Sequence, residues 1–220
     1  MEPATMIGSI SEETKVRDEI VEVGRSLFDR GLTAGSTGNI SVRLSDGRIL
    51  MTPTNASLGV LDPARLSCFS AEGVHVGGDK PTKEAFLHKC MYCGKDNRRA
   101  VVHLHSTYSV AVSLLKQVNE RDVLPPLTAY YVMRIGFLPL VPYFPPGDEA
   151  LAAAVGAAAA NHHAVLMANH GPVVAGKSLK DAQYATEELE ETAKLFLLLQ
   201  NHEVRPLTAE ERATLINLAR

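Results

Sequence analysis

Residues Asn169–Ser178 read NHGPVVAGKS, and the fold turns on what this stretch is. From Gly171 it spells G-x-x-x-x-G-K-S, the pattern of a loop that cradles nucleotide phosphates. The apolar run AVLMA (Ala164–Ala168) precedes it, and a helix-patterned segment follows. A nucleotide loop needs flexible residues whose amides all point inward. Here Pro172 has no amide hydrogen, and Val173 and Val174 favour extended backbone. Such a site also wants a metal-binding Asp at the end of a later apolar strand. After Ser178 the pattern is helical only. The stretch therefore reads as a strand around Val173–Val174, a turn at Gly176–Lys177 and a helix capped by Ser178. No nucleotide partner is expected, and the chemistry shifts to His170.

Outward from this point, AVLMA and PVVAG (Pro172–Gly176) are two short strands flanking His170. SLKDAQYATEELEETAKLFLLLQNH (Ser178–His202) is a long amphipathic helix, and AEERATLINLA (Ala209–Ala219) is a last one. Upstream, FLPLVPYF (Phe137–Phe144) is extended and ends at PPGD, where Asp148 is placed to cap a helix running to Ala160. AVVHLHS (Ala100–Ser106) is apolar and β-branched, a strand, with a helix from Thr107 to Leu115. TKEAFLHKCMY (Thr82–Tyr92) continues a helix that begins at Pro81, a residue suited to a first turn. RLSCFS and GVHVGG are short strand pieces around a turn. ISVRL, SDG and RILMT form a hairpin over Ile40–Leu44 and Arg48–Thr52. Val16, Ile20, Val23 and Leu27 mark Ser11–Leu32 as a helix, which TAGSTGN (Thr33–Asn39) breaks. The expected architecture is one α/β domain over residues 1–220, with helices on both sides of a mixed or antiparallel sheet. The hairpin speaks against an all-parallel sheet.

With 45% hydrophobic residues the chain can bury a sizeable core. A net charge of −3 offers no basic field for nucleic acid, though a few local donors suffice for one phosphate. Three cysteines are too few for a disulfide framework and suit a reducing compartment. The opening MEPATMIGSISEETKV is polar, without an apolar signal core. The longest low-charge run, ALAAAVGAAAA (Ala150–Ala160), is shorter than the ~20 residues of a spanning helix. No membrane partner is expected, and the expected location is the cytoplasm.

Strand periodicity of two puts His103 and His105 on one face, where they can share one ion. The alternative is two polar residues on the solvent face of a strand. His170 follows a second apolar run, at a strand end. Three imidazoles suit zinc and leave a fourth position for a substrate or a carboxylate. His88 follows Glu84 by four residues, so the two share a helix face, and a helical Glu–His pair could bind metal. His162 and His163 start a strand, His75 sits near a turn and His202 near a helix end. Cys90 and Cys93 form half of a zinc ribbon with no second half.

Taken in order, GSTGNISVR (Gly35–Arg43), TPT (Thr52–Thr54), KPTKEAFLH (Lys80–His88), VVHLHS (Val101–Ser106) and ANHGPVVAGKS (Ala168–Ser178) resemble the class II aldolase/adducin family over nearly the whole chain. GDKPTKE, YYVMRIG, VPYFPPGD, ANHGPVVAGK and EELEETAKL look closest to its 3-oxo-tetronate 4-phosphate decarboxylases of sugar-acid catabolism. The resemblance implies a three-layer αβα sandwich around a mostly antiparallel sheet, and a C4 homotetramer with sites near subunit interfaces. By the same resemblance His103, His105 and His170 are zinc ligands, another divalent ion being allowed. Glu84 matches the acid that ligates the metal in the empty site and acts as acid/base once substrate displaces it. Gly38 and Asn39 match one phosphate-binding turn and Thr54 a second, with Asn55 where the family has Gly. Thr82 and Lys83 stand in place of two serines of the aldolase pattern KLPSSE, which places them at the substrate and puts the aldolase reaction itself in question. Arg134 lies in a segment that runs close to a neighbouring subunit's site, where it or Lys83 could orient the substrate's carboxylate or phosphate. Tyr130 lies near the family's catalytic tyrosine.

The implied reaction removes C1 of a 3-oxo-tetronate 4-phosphate and leaves an enediolate across C2 and C3, stabilised by zinc. Glu84 then carries a proton to C2, giving dihydroxyacetone phosphate and CO2. A sugar-phosphate aldolase of the L-fuculose-phosphate kind forms the same enediolate by breaking a C–C bond. That aldolase or a pentulose-phosphate 4-epimerase is the alternative. An adducin-like binding module would keep the fold without the metal, and the intact Glu84, His103, His105 and His170 argue against it.

Overall fold

The computed structural model describes residues 11–93, 97–145 and 148–219. The first ten residues of the polar opening, and Pro146 and Gly147 of PPGD, lie outside the described residues. The chain runs α1 (Glu12–Asp29), β1 (Asn39–Arg43), β2 (Ile49–Met51), β3 (Ser67–Phe69), β4 (His75–Gly77), α2 (Ala85–Tyr92), β5 (Ala100–His103), α3 (Thr107–Ser113), α4 (Ala129–Arg134), β6 (Leu140–Val141), α5 (Glu149–Ala159), β7 (Ala164–Met167), β8 (Gly171–Gly176), α6 (Leu179–Leu198) and α7 (Ala209–Leu218). Two 3-10 turns, Leu58–Val60 and Pro63–Arg65, bridge β2 to β3.

The strands form one eight-stranded sheet in the order β4-β3-β2-β1-β5-β8-β7-β6. Every neighbouring pair is antiparallel except β6 with β7. Strand alternation sorts the core into two sides. Ile40, Val42, Leu50, Val102 and Leu104 pack with Ile20, Val23 and Leu27 of α1 and Leu179 and Ala182 of α6. Ala164, Leu166 and Val174 pack with residues of α3, α4 and α6. Their sequence neighbours Met51, Val101, Val165, Val173 and Ala175 meet Leu87 and Met91 of α2 and Leu151 and Val155 of α5. Helices thus cover both faces, the sandwich expected from the sequence.

The helix ends follow local chemistry. Ser11, Asp148 and Ser178 accept backbone hydrogen bonds at the starts of α1, α5 and α6, as short polar caps do. The G-x-x-x-x-G-K-S spelling falls on β8, a strand paired on both edges. Its backbone belongs to the sheet and forms no cradle.

Several boundaries differ from the expectations. The helix placed at Pro81 begins only at Ala85, because Pro81 bridges Pro53 in extended conformation. Glu84 is the N-cap residue of α2, ahead of the helix, and shares no helix face with His88. The strand drawn to Ser106 ends at His103. FLPLVPYF contributes only Leu140–Val141 to the sheet, since Pro139 and Pro142 on either side have no N–H for a ladder. Helix α4 had no counterpart in the sequence reading; six residues are too few for a helical period to declare itself. Among the described residues no helix is long and apolar enough to cross a membrane.

Candidate metal centre and active site

His103 ends the central strand β5, His105 lies two residues beyond it, and His170 sits in the turn between β7 and β8. Glu84 heads α2. The sheet order makes β5 and β8 neighbours, so three distant pieces of sequence meet at one sheet end. One ligand atom from each of Glu84, His103, His105 and His170 lies within 4.8 Å of the others. His103 Nε2 is 3.1 Å from His105 Nε2. Glu84 places Oε1 2.9 Å from His170 Nε2 and Oε2 3.4 Å from His103 Nε2. The three rings meet edge to face, with centroids 4.8 to 5.0 Å apart.

Two glycines let the loops close this tightly. Gly171 has φ 145°, and a Cβ there would lie 2.4 Å from the Leu104 carbonyl oxygen. Gly38 has φ 79°, and its Cβ would lie 3.0 Å from the His103 carbonyl oxygen. Both turns rest directly on the backbone of the histidine pair, which only a residue without a side chain allows.

The donor set fits a divalent cation. His103 Nδ1 donates to the Pro172 carbonyl at 2.8 Å, which turns Nε2 toward the cluster, where it can take either a proton or a metal ion. Three imidazoles and a carboxylate are a borderline-soft set of the kind zinc takes. Burial raises the Glu84 carboxyl, but the His103 imidazole and hydrogen bonds from His103, His170 and Asn39 outweigh it and hold the group well below the usual carboxylate range. Burial lowers the His103 imidazole, and the Glu84 carboxylate more than offsets this, leaving it raised. Burial and the neighbouring imidazoles push His105 down to about 4, so it is neutral and ready to ligate at ordinary pH.

Behind Glu84 lies a buried polar chain. Asn39 Nδ2 donates to Glu84 Oε2 at 2.7 Å and to Thr82 Oγ1 at 3.3 Å. Asn39 Oδ1 meets His88 Nε2, His88 Nδ1 meets Ser41 Oγ at 2.7 Å, and Ser41 Oγ meets Tyr92 OH at 2.8 Å. Burial pushes His88 down to about 3 and so keeps it neutral. Sequence reading linked His88 to Glu84 directly and passed over Ser41 and Tyr92. The signal was present: Asn39 and Ser41 are two apart on a strand, and His88 and Tyr92 four apart on a helix.

The remaining sequence candidates divide into two places. Gly38, Asn39 and Thr82 adjoin the cluster through the contacts above. The Thr54 loop is tied to that of Thr82: the Thr54 N–H donates to Lys80 O at 2.9 Å, and Pro53 bridges Pro81. Asn55, standing where the family has Gly, adopts φ 57°, a left-handed conformation that Asn tolerates. Lys83 is exposed beside Glu84. Tyr130 and Arg134 lie elsewhere, on α4. They line a separate cleft with Arg30, Tyr184, Glu187 and Glu188, where the Arg134 guanidinium stands 5.4 Å from the Tyr184 ring centre. None of the four clustered residues lines that cleft. The C-x-x-C cysteines are free, with Cys93 exposed.

Comparison with known proteins agrees with this geometry. The family model described as class II aldolase and adducin N-terminal domain matches residues 18–197. A 3-oxo-tetronate 4-phosphate decarboxylase of Escherichia coli (strain K12) is 48% identical over 203 residues, covering 92% of this chain and 96% of that one. The crystal structure of YgbL from Escherichia coli superposes with a TM-score of 0.91 at 47% identity, over 94% of this chain and 100% of that one. An L-fuculose 1-phosphate aldolase structure superposes with a TM-score of 0.83 at 27% identity, over 96% and 99% of the two chains. The chain belongs to the class II aldolase/adducin family.

Proposed function

We propose that this protein is a divalent-metal-dependent lyase that converts a 3-oxo-tetronate 4-phosphate to dihydroxyacetone phosphate and CO2. The observation that carries it is the cluster of Glu84, His103, His105 and His170 within 4.8 Å of one another, in a chain 48% identical to a relative named for that reaction. His103, His105 and His170 would hold the ion, and zinc is the choice their nitrogen donors favour. Bound there, the cation supplies positive charge for the electron pair left on the substrate when CO2 departs. Glu84 would carry the proton: its carboxyl, protonated from solvent, delivers one proton to C2 in the place CO2 has left, with Asn39 fixing which oxygen is engaged. Small residues at Gly38 and hydroxyls of Thr54 and Thr82 give the phosphate donors without bulk. Lys83 adjoins Glu84 and is exposed, free to swing toward the departing carboxylate.

The proposal extends to a homotetramer of one class II aldolase-type domain over residues 1–220. It assigns Tyr130 and Arg134 to the site of a neighbouring copy. Tyr130 is 64% exposed, and its cleft lies apart from the chain's own cluster. A cytoplasmic location accompanies it, in keeping with three free cysteines.

The second reading is a sugar-phosphate aldolase, favoured by the superposition on L-fuculose 1-phosphate aldolase. Thr82 and Lys83, in place of that activity's paired serines, speak against it. The deciding experiment measures CO2 release from erythronate- and threonate-derived 3-oxo 4-phosphates beside cleavage of L-fuculose 1-phosphate. CO2 release with dihydroxyacetone phosphate as co-product is expected. Cleavage of fuculose phosphate without CO2 release would replace the decarboxylase reading with the aldolase one.

A further inference from the structure

The polar chain behind Glu84 has only one consistent direction. A carboxylate only accepts, so Asn39 must present its NH2 group to Glu84. Its oxygen Oδ1 is then left facing His88 Nε2, which must donate. A neutral imidazole that donates at Nε2 accepts at Nδ1, so the Ser41 hydroxyl points its hydrogen there. Ser41 Oγ in turn accepts from the Tyr92 hydroxyl. Asn39, Ser41, His88 and Tyr92 are all buried, so no water competes to reorient them. The Arg43 guanidinium, 4.4 Å from the Tyr92 ring centre, covers the far end.

We infer that His88 is a positioning residue for the metal centre: its Nε2–H holds the Asn39 amide so that the NH2 group, not the oxygen, faces Glu84, and Ser41, itself held by Tyr92, seats the His88 ring through Nδ1. An asparagine amide has two orientations of nearly equal shape. The flipped one would set its oxygen against the Glu84 carboxylate and its NH2 against the His88 N–H, a double clash of like groups. Loss of the His88 donor removes half of that penalty, and Glu84 loses a fixed partner. The chain uses strand β1 and helix α2 alternately: Asn39 and Ser41 from one, His88 and Tyr92 from the other. The same contacts thereby hold α2, and Glu84 at its head, against the sheet end that carries the histidines.

The inference rests on the reading of Glu84 and the three histidines as a metal site, and its test reads metal affinity rather than turnover. Co2+ is titrated into metal-free protein in competition with a chromophoric chelator, for wild type, His88→Leu, His88→Gln, Ser41→Ala and Tyr92→Phe. Each variant is also made in a Glu84→Ala background, and thermal melting checks folding. Partners of metal ligands are worth about 10–100-fold in affinity, and His88→Leu is expected to lose that much. Ser41→Ala loses less, Tyr92→Phe stays within about twofold, and His88→Gln, which keeps an N–H donor, recovers part of the loss. In the Glu84→Ala background the same changes have no further effect, because the residue they act through is gone. Equal losses in both backgrounds, or unchanged affinity in folded His88→Leu and Ser41→Ala proteins, overturn the positioning role. If His88→Leu does not fold, Ser41→Ala decides. A wild-type protein that binds no Co2+ fails at the earlier step and removes the metal reading along with the inference.

Discussion

Glu84 Oε1 stands 2.9 Å from His170 Nε2, joining the head of α2 to the turn between β7 and β8. The side chain of Glu84 keeps 24% of its surface open while that of His103 keeps none. Of Glu84 and His103, the acid is the one a substrate can reach. Glu84→Gln should retain bound metal, since an amide oxygen remains, and lose turnover by on the order of 10²–10⁴-fold, the usual worth of a proton carrier. Steady-state rates with metal content measured on the same sample check it. Near-normal turnover would reduce Glu84 to a structural partner of the histidines.

Proton linkage gives the metal-free protein a distinctive pH profile. His103 is raised above its ordinary 6.5 by the Glu84 carboxylate. Its pairing with Glu84 therefore stabilises the fold fully below pH 6.5 and fades as pH rises through the raised value. Glu84 is depressed from 4.5, so its contribution is present above that pH and is lost only as pH falls through the depressed value. Chelator-treated wild type should thus gain melting temperature relative to Glu84→Gln as pH drops from about 8 to 5.5. Metal-loaded protein should lack this trend, because the ion takes the place of the His103 proton. Parallel melting curves for metal-free wild type and Glu84→Gln across that range would show that the pair is not formed in solution.

Much of this site was legible because its parts are short and periodic. The pair His103 and His105 announced itself by a spacing of two, and Ser178 by its place before a long amphipathic run. Pro172, Val173 and Val174 ruled out a phosphate cradle through the backbone they prefer. What stayed hidden depends on tertiary contact. Nothing local says that Pro81 is held extended by Pro53, so the local pattern starts α2 too early and gives Glu84 a helical neighbour in His88. The intermediary is Asn39, from another strand, and only the pairing of β1 with β5 brings it there. Helix α4 escaped notice for a different reason: six residues capped by Thr128 hold no repeat to read.

Gly171→Ala tests how tightly the third histidine is seated. Its added Cβ would meet the Leu104 carbonyl oxygen at 2.4 Å, and φ 145° is a region that side chains avoid. Forced into such backbone a residue costs about 1–3 kcal/mol, so the melting temperature should fall by roughly 2–12 °C. His170 adjoins the strained bond, so metal affinity should fall with it. A variant with unchanged melting temperature and metal affinity would mean that the β7–β8 turn has room the structure does not show.

Arg134 and Glu84 offer a test of assembly, because the proposal puts them in one active site but in different copies of the chain. Arg134 sits on α4, in a cleft that none of the clustered residues lines. Arg134→Ala and Glu84→Gln should each be nearly inactive alone. Co-expressed in equal amounts, they form mixed ring tetramers in which a site is intact when an Arg134→Ala copy supplies the cluster and its neighbour is a Glu84→Gln copy. Each condition holds for half of the copies, so about a quarter of the sites recover in a head-to-tail ring. Sites built within one chain would never recover, since each copy carries one lesion. Light scattering on the same mixtures gives the oligomer size. Recovery to about a quarter of wild-type turnover supports the shared site. No recovery in mixed tetramers would confine Arg134 to the Tyr184 cleft of its own chain and leave Lys83 as the candidate cation for the substrate carboxylate.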